Sequence, residues 1–247
     1  MKIAIITGGS RGVGKNIALE TAKRGNGVIL TYNSKKEEAE IVVAEINKNG
    51  GKAAALQLDV TQISTFADFT AQVEKTLERY WNQKTFDYLV NNAGTAQRTL
   101  IKDTTEKEFD QLVQVHFKGP FFLTQKLIPL INEGGQIINI STGLTRFAHP
   151  GVATYAAVKA ALEVVTMYLA KEFAEKKIRA NVVAPGALDT DFGGGRTDEA
   201  RQLLGNATAL GRIGIAEDVG LFVAAMLSED SRWVNAQRIE VTGGMYI

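Results

Sequence analysis

Short β-branched runs alternate with longer amphipathic stretches along this chain, and that alternation constrains its fold more than any other feature. Lys2–Ile6, Gly27–Tyr32, Ala53–Asp59, Phe86–Asn92, Gly135–Ser141, Ile178–Ala184 and Gln237–Thr242 read as strands. Between them, residues 13–25, 35–50, 63–81, 106–131, 153–176 and 216–227 carry apolar residues at helical spacing. A strand, a helix and a further strand close as a right-handed βαβ unit, which makes successive strands parallel. Several of the strands lack polar alternation, as strands covered on both faces do. The expected fold class is α/β: a doubly wound parallel sheet of about seven strands with helices on both faces.

No linker, repeat or low-complexity tract divides the 247 residues, so residues 1–247 are expected to form one domain. The glycine- and charge-rich stretch Thr190–Asn206 (TDFGGGRTDEARQLLGN) interrupts the alternation. It reads as a mobile substrate loop spanning roughly residues 190–210. A formal net charge of +1 gives no field for nucleic acid, acidic partners or a membrane surface. Without cysteine, and with only His116 and His149 as histidines, no metal site is expected. No apolar run is long enough for a membrane span, and the start, MKIAIITGGS, is too short in apolar residues for a signal peptide. A soluble, cytoplasmic protein is the economical reading.

In a doubly wound sheet, ligands bind at the carboxyl ends of the strands, so the loops that follow strands matter most. The first such loop is TGGSRGVGK, Thr7–Lys15. Gly8, Gly12 and Gly14 permit a tight turn and close backbone approach, and the next helix offers unpaired N–H groups to a pyrophosphate. Gly9–Lys15 also satisfies the opening of a nucleoside-triphosphate loop, but Asn16 stands where Mg²⁺ binding calls for Ser or Thr. What is present is T-G-x-x-x-G-x-G. A second candidate unit is Tyr155-Ala156-Ala157-Val158-Lys159, although the same Tyr/Lys spacing recurs at Tyr32/Lys36 and Tyr80/Lys84 and alone proves nothing.

Taken in order, T-G-x-x-x-G-x-G, Asn91-Asn92-Ala93-Gly94, YAAVK and Pro185-Gly186-Ala187-Leu188-Asp189-Thr190 resemble the short-chain dehydrogenase/reductase family, in particular its 3-oxoacyl-[acyl-carrier-protein] reductase-like members. The resemblance covers nearly the whole chain and implies a Rossmann-like fold and a bound nicotinamide dinucleotide. It implies cofactor contacts from Gly8, Ser10, Arg11, Gly12, Val13 and Gly14 in the first loop. Further contacts are implied from Asn33, Ser34, Asp59, Val60, Asn91, Ala93, Gly94, Tyr155, Lys159, Pro185, Gly186, Leu188 and Thr190. An NAD enzyme needs a carboxylate at the end of the second strand. Tyr32, Asn33 and Ser34 stand there, and Glu37 falls later, inside a helix. The neutral position leaves room for a 2′-phosphate that Arg11 could pair with, which favours NADP over NAD.

The family's chemistry is the interconversion of a carbonyl and a secondary alcohol. The resemblance makes Tyr155 the acid or base and Lys159 the cation that lowers the tyrosine's pKa and holds the ribose. A hydroxyl after the fifth strand polarises the substrate oxygen. Counting 13 residues back from Tyr155 reaches Thr142, whereas a loop one residue longer would give the role to Ser141, so both remain candidates. His116 stands where the family usually has an asparagine that holds a water near the lysine, and it could titrate near neutral pH. A contrasting reading is an NADP-binding sensor or scaffold weakened in catalysis, which the intact Tyr155/Lys159 pair opposes. The resemblance also implies a homo-oligomer, a tetramer in preference to a dimer. The substrate would be a small-molecule carbonyl or alcohol, with Arg98, Arg146 and Arg196 as candidate anion contacts.

Overall fold

The computed structural model describes residues Met1–Ile247. Seven parallel strands form the main sheet: β1 (Ile3–Ile6), β2 (Gly27–Tyr32), β3 (Ala53–Gln57), β4 (Phe86–Asn91), β5 (Ile131–Ile140), β6 (Arg179–Pro185) and β9 (Arg238–Val241). Their spatial order is β3-β2-β1-β4-β5-β6-β9, so the winding direction reverses between β1 and β4. The carboxyl ends of those two strands therefore open the crevice in which such sheets bind ligands. Two short strands, β7 (Leu188–Asp189) and β8 (Gly214–Ile215), pair separately.

Side chains alternate between two core layers along each strand. Ile3 and Ile5 of β1 face one layer, with Phe66, Phe69, Val73 and Leu77 of α3 (Phe66–Trp81) and Leu123 and Leu127 of α5 (Gly119–Leu127). Ala4 and Ile6 face the other, with Ile17 and Ala18 of α1 (Gly12–Lys23), Val42 and Ile46 of α2 (Lys36–Lys48), and Val219 and Val223 of α8 (Ala216–Met226). Each fully buried Ile or Leu contributes about 1.5–3 kcal/mol by leaving water, so both faces of the sheet are locked. Helix α8 lies against α1 so closely that a Cβ on Gly220 would come within 2.8 Å of the Asn16 backbone. Asn16, whose side chain donates to the Gly12 carbonyl at 3.0 Å, is thus a packing residue of α1.

Two expectations are corrected. Residues 106–131 do not form one helix: α4 (Glu106–Val113) passes through a π turn at Gln114–Lys118 into α5, and β5 begins at Ile131, earlier than Gly135. The stretch after Thr190 is not wholly loop. Thr197 caps a helix, α7 (Asp198–Asn206), by accepting from the Ala200 N–H, and Asp198 and Glu199 suit its positive N-terminus. No helix is long and apolar enough to cross a membrane.

Candidate active site

At the switch point the first loop and the loop after β4 interlock through hydrogen bonds and missing side chains. Thr7 Oγ1 accepts from the backbone N–H groups of Asn92 (2.9 Å) and Ala93 (3.0 Å). Asn92 returns its side-chain amide to the carbonyls of Thr7 (2.9 Å) and Gly8 (3.2 Å). Gly8 has φ +66°, and a Cβ there would lie 2.9 Å from the Ala93 Cα. A Cβ on Gly14 would lie 2.1 Å from the Gly8 carbonyl oxygen, so only glycine fits. Gly12 differs, because space is open around it at φ +55°.

The first turn of α1 starts at Arg11 with no side-chain cap and no acidic residue, leaving its N–H groups for an anion. A close-packed floor, an open glycine above it and an uncapped helix end fit a dinucleotide pyrophosphate. Asn33 and Ser34 are exposed beyond β2, with no acid among them, and Arg11 is exposed without an ion-pair partner. Lys35 instead lies 3.9 Å from Glu38. Asp59 Oδ1 is occupied by the backbone and hydroxyl of Thr61 (2.9 and 2.7 Å), which leaves its second oxygen for a ligand. Val60 is buried, with its carbonyl against Gly119. On the other side of the crevice, Pro185, Gly186, Leu188 and Thr190 form the segment from β6 into β7, and Gly186 packs against Thr242.

The side chains expected to do chemistry converge beside this cradle. Helix α6 (Ala153–Glu172) carries Tyr155 and Lys159 on one face, one turn apart. Lys159 is buried and donates to the Ile140 carbonyl at 2.7 Å, with its Nζ 5.8 Å from the centre of the Tyr155 ring. Burial pushes the ammonium down to about 8, against an opposing pull from Glu163. The lysine therefore remains predominantly charged at neutral pH. Burial pushes the Tyr155 hydroxyl above its ordinary value. The Lys159 ammonium nearest the ring is tied to the strand carbonyl in this arrangement.

The two candidate hydroxyls face different ways. Ser141 donates to Glu163 of α6 at 2.5 Å. Thr142 accepts from the Leu144 N–H at 3.3 Å and has no acceptor for its own proton within the protein. The expected ambiguity is thus one of orientation, which no count of residues could resolve.

His116 sits on the π turn, an insertion that often marks functional sites because it turns one residue out of helical register. Its ring meets Tyr155 edge-on, with centroids 5.0 Å apart at 89°. Nε2 lies 2.7 Å from the Thr95 carbonyl and 3.3 Å from the Thr95 N–H; the shorter contact calls for the hydrogen on Nε2, and Nδ1 is buried without a partner. Burial, and then the Lys159 charge, lower its pKa to about 3. The expectation that it titrates near neutral pH is therefore corrected, and the ring is a neutral imidazole under ordinary conditions.

Other expected residues fall elsewhere. Asn91 is buried, and its amide donates to Thr124 (3.0 Å) and Asn139 (2.8 Å), tying β4 to α5 and β5. Arg146 is not free for an anion: it pairs with Glu240 at 2.8 Å and donates to the Met245 and Tyr246 carbonyls. Arg98 forms no ion pair, while Arg196 donates through Nε to Leu188 O at 2.9 Å. Phe192 lies 6.3 Å from Tyr155 between ring centroids, and a Cβ on Gly193 would lie 3.3 Å from Ala96, so the segment after β7 reaches over the tyrosine. Thr7 and Asn92 escaped the sequence reading, although both lie inside the motifs that signalled the cradle.

The chain is similar to known reductases over nearly its whole length. Residues 8–246 match the family model described as enoyl-(acyl carrier protein) reductase. The 3-oxoacyl-[acyl-carrier-protein] reductase FabG of Staphylococcus aureus is 34% identical over 100% of this chain and 98% of its own. Among solved structures, the promiscuous reductase LugOII, which catalyses keto-reduction at C1 in lugdunomycin biosynthesis, has a TM-score of 0.94 at 34% identity, covering 100% of this chain and 98% of that one. The angucycline C-6 ketoreductase LanV with bound NADP has a TM-score of 0.95 at 31% identity, covering 99% and 95%.

Proposed function

This chain belongs to the short-chain dehydrogenase/reductase family and is an NAD(P)-dependent oxidoreductase, and we propose that it reduces a ketone to a secondary alcohol, reversibly, with NADP(H) as cofactor. The single observation that carries this reading is the Tyr155/Lys159 pair on α6, with the Tyr155 ring edge-on to His116, which packs against Gly94 of the loop beside the glycine cradle. NADP is supported by the ketoreductase neighbours, which hold it, and by the neutral end of β2 beside an unpaired Arg11.

Gly8, Gly12, Gly14 and the N-terminus of α1 would hold the pyrophosphate, and Arg11 the 2′-phosphate. When bound, the reduced nicotinamide supplies the hydride. The residues of this chain do the rest. Thr142 donates its free proton to the substrate oxygen and polarises the carbonyl. Tyr155 delivers the proton that turns the developing alkoxide into an alcohol. A phenol pushed up by burial stays protonated at neutral pH, which suits the reductive direction. Lys159, held to Ile140 and still charged, stabilises the phenolate left behind and offers its remaining donors to the ribose. His116 Nδ1, buried and unpartnered, can accept from a water on the route that reprotonates the pair. Phe192 and the segment around residues 190–210 form the substrate wall over Tyr155.

The substrate class favoured is a 3-oxoacyl thioester or an angucycline ketone, after the names of the similar reductases. A cytoplasmic location belongs to the same reading. So does a homo-oligomer: Phe121 on α5 and Val164, Met167 and Tyr168 on α6 leave an apolar stripe in solvent that a second copy would cover. Light scattering reads that state directly. Ketones, β-ketoacyl thioesters and quinones assayed separately with NADPH and NADH test the activity. Carbonyl-dependent consumption of NADPH well above NADH is expected, and no consumption across the panel would overturn the reading.

A further inference from the structure

We propose that Glu163 is a positioning residue of this site, fixing the turn that carries Thr142 and supplying the counter-charge that keeps Lys159 an ammonium. The proposal rests on the ketone-reductase reading above. One oxygen of Glu163 accepts from Ser141 Oγ (2.5 Å), Thr145 Oγ1 (2.9 Å) and Arg238 Nε (3.0 Å). Ser141 and Thr145 bracket the turn after β5, so a single carboxylate grips it at both ends. Arg238 closes the clamp by donating to the Thr142 carbonyl (3.2 Å) and to Thr145 Oγ1 (2.8 Å). A carboxylate only accepts, so it draws the Ser141 proton away from the cleft and leaves Thr142 as the hydroxyl facing it.

The same carboxylate lies one helical turn beyond Lys159 on α6. Lys159 is buried, and Glu163 is the charge that opposes the effect of burial on it. The groups facing the lysine are few. Tyr155 and Glu163 come from α6 itself, the Ile140 carbonyl from β5, and the neutral His116 ring from the π turn. Arg238 of β9 faces Glu163 rather than the lysine, with Glu240 at its other side. Glu163 and Arg238 must therefore move the lysine's titration in opposite directions.

The test is an NMR titration of Lys159 in the full chain labelled with [ε-¹³C]lysine, its signal assigned by its loss in Lys159→Met. It is run beside the pH profile of NADPH-dependent ketone reduction. Glu163→Gln keeps an acceptor for Ser141 and removes the charge, so the Lys159 midpoint should fall by about one unit. The alkaline limb of the activity profile should move down with it. Glu163→Asp should restore the midpoint, and Arg238→Met should raise it. An unmoved midpoint in Glu163→Gln, or shifts of the same sign in Glu163→Gln and Arg238→Met, overturns the proposal, since a merely structural role moves no lysine titration by charge. Should Glu163→Gln fail to fold, the Arg238→Met midpoint decides alone. The titration needs no turnover, so failure of this proposal is distinguishable from failure of the activity reading, which would appear as inactivity of the unaltered protein.

Discussion

Around Gly8 and Gly14 the cleft is made of backbone, whereas around Tyr155 it is made of buried side chains. In the cradle the constraint is steric: an added Cβ at Gly14 has 2.1 Å to the nearest oxygen. In the pocket the constraint is electrostatic. His116, Tyr155 and Lys159 all titrate away from their ordinary values because burial penalises their charged forms. The cradle should therefore fail through loss of binding, and the pocket through loss of chemistry with binding retained.

Substitutions can break that contrast or sharpen it. Thr142→Ala removes the donor to the substrate oxygen and should lower kcat by about 10²–10³-fold with cofactor affinity unchanged. Ser141→Ala, whose hydroxyl serves Glu163, should leave kcat far closer to the parent and cost about 1–3 kcal/mol of stability for the lost buried hydrogen bond. Comparable kcat losses in the two would erase the assignment. Gly14→Ala should raise the NADPH dissociation constant about 10²-fold by shifting the first loop, read by cofactor fluorescence. Arg11→Ala should raise KM for NADPH about tenfold, one charge-assisted contact, and leave that for NADH unchanged.

A further effect concerns stability. His116 has a folded-state pKa of about 3, depressed from 6.5, so the unfolded chain binds its proton first. Stability should fall as pH drops below about 6.5, by up to about 1.4 kcal/mol per pH unit until the folded ring also titrates near 3. His116→Asn should flatten that slope in denaturant titrations between pH 6 and about 4.

The contrast also separates what was legible in the sequence from what was not. The sheet and the cradle could be read because each depends on a local rule, strand and helix periods in one case and glycine spacing in the other. Even the cofactor preference followed from what stands at residues 32–34. The pocket could be located but not oriented. Ser141 and Thr142 are adjacent hydroxyls, and what separates them is tertiary: Ser141 donates to the remote Glu163, whereas Thr142 only accepts from the Leu144 N–H. His116 could be flagged, yet its neutrality depends on burial by elements distant in sequence. Arg146 looked free until Glu240 and the C-terminal carbonyls captured it. Helix α7 was hidden because GGGR and a dense run of charge mask a Thr197 cap and a short helix. Of three Tyr/Lys pairs at the same spacing, only Tyr155/Lys159 lies beside the switch-point crevice. The other two bracket the end of β2 and the end of α3.

The central claim is that Tyr155 supplies the proton for a ketone reduced at the expense of NADPH. Single-turnover NADPH oxidation by Tyr155→Phe, on a ketone the parent protein reduces, tests it most directly. The account predicts unchanged NADPH binding and a rate lower by about 10²–10⁴-fold. An unchanged rate with the phenol gone would contradict it.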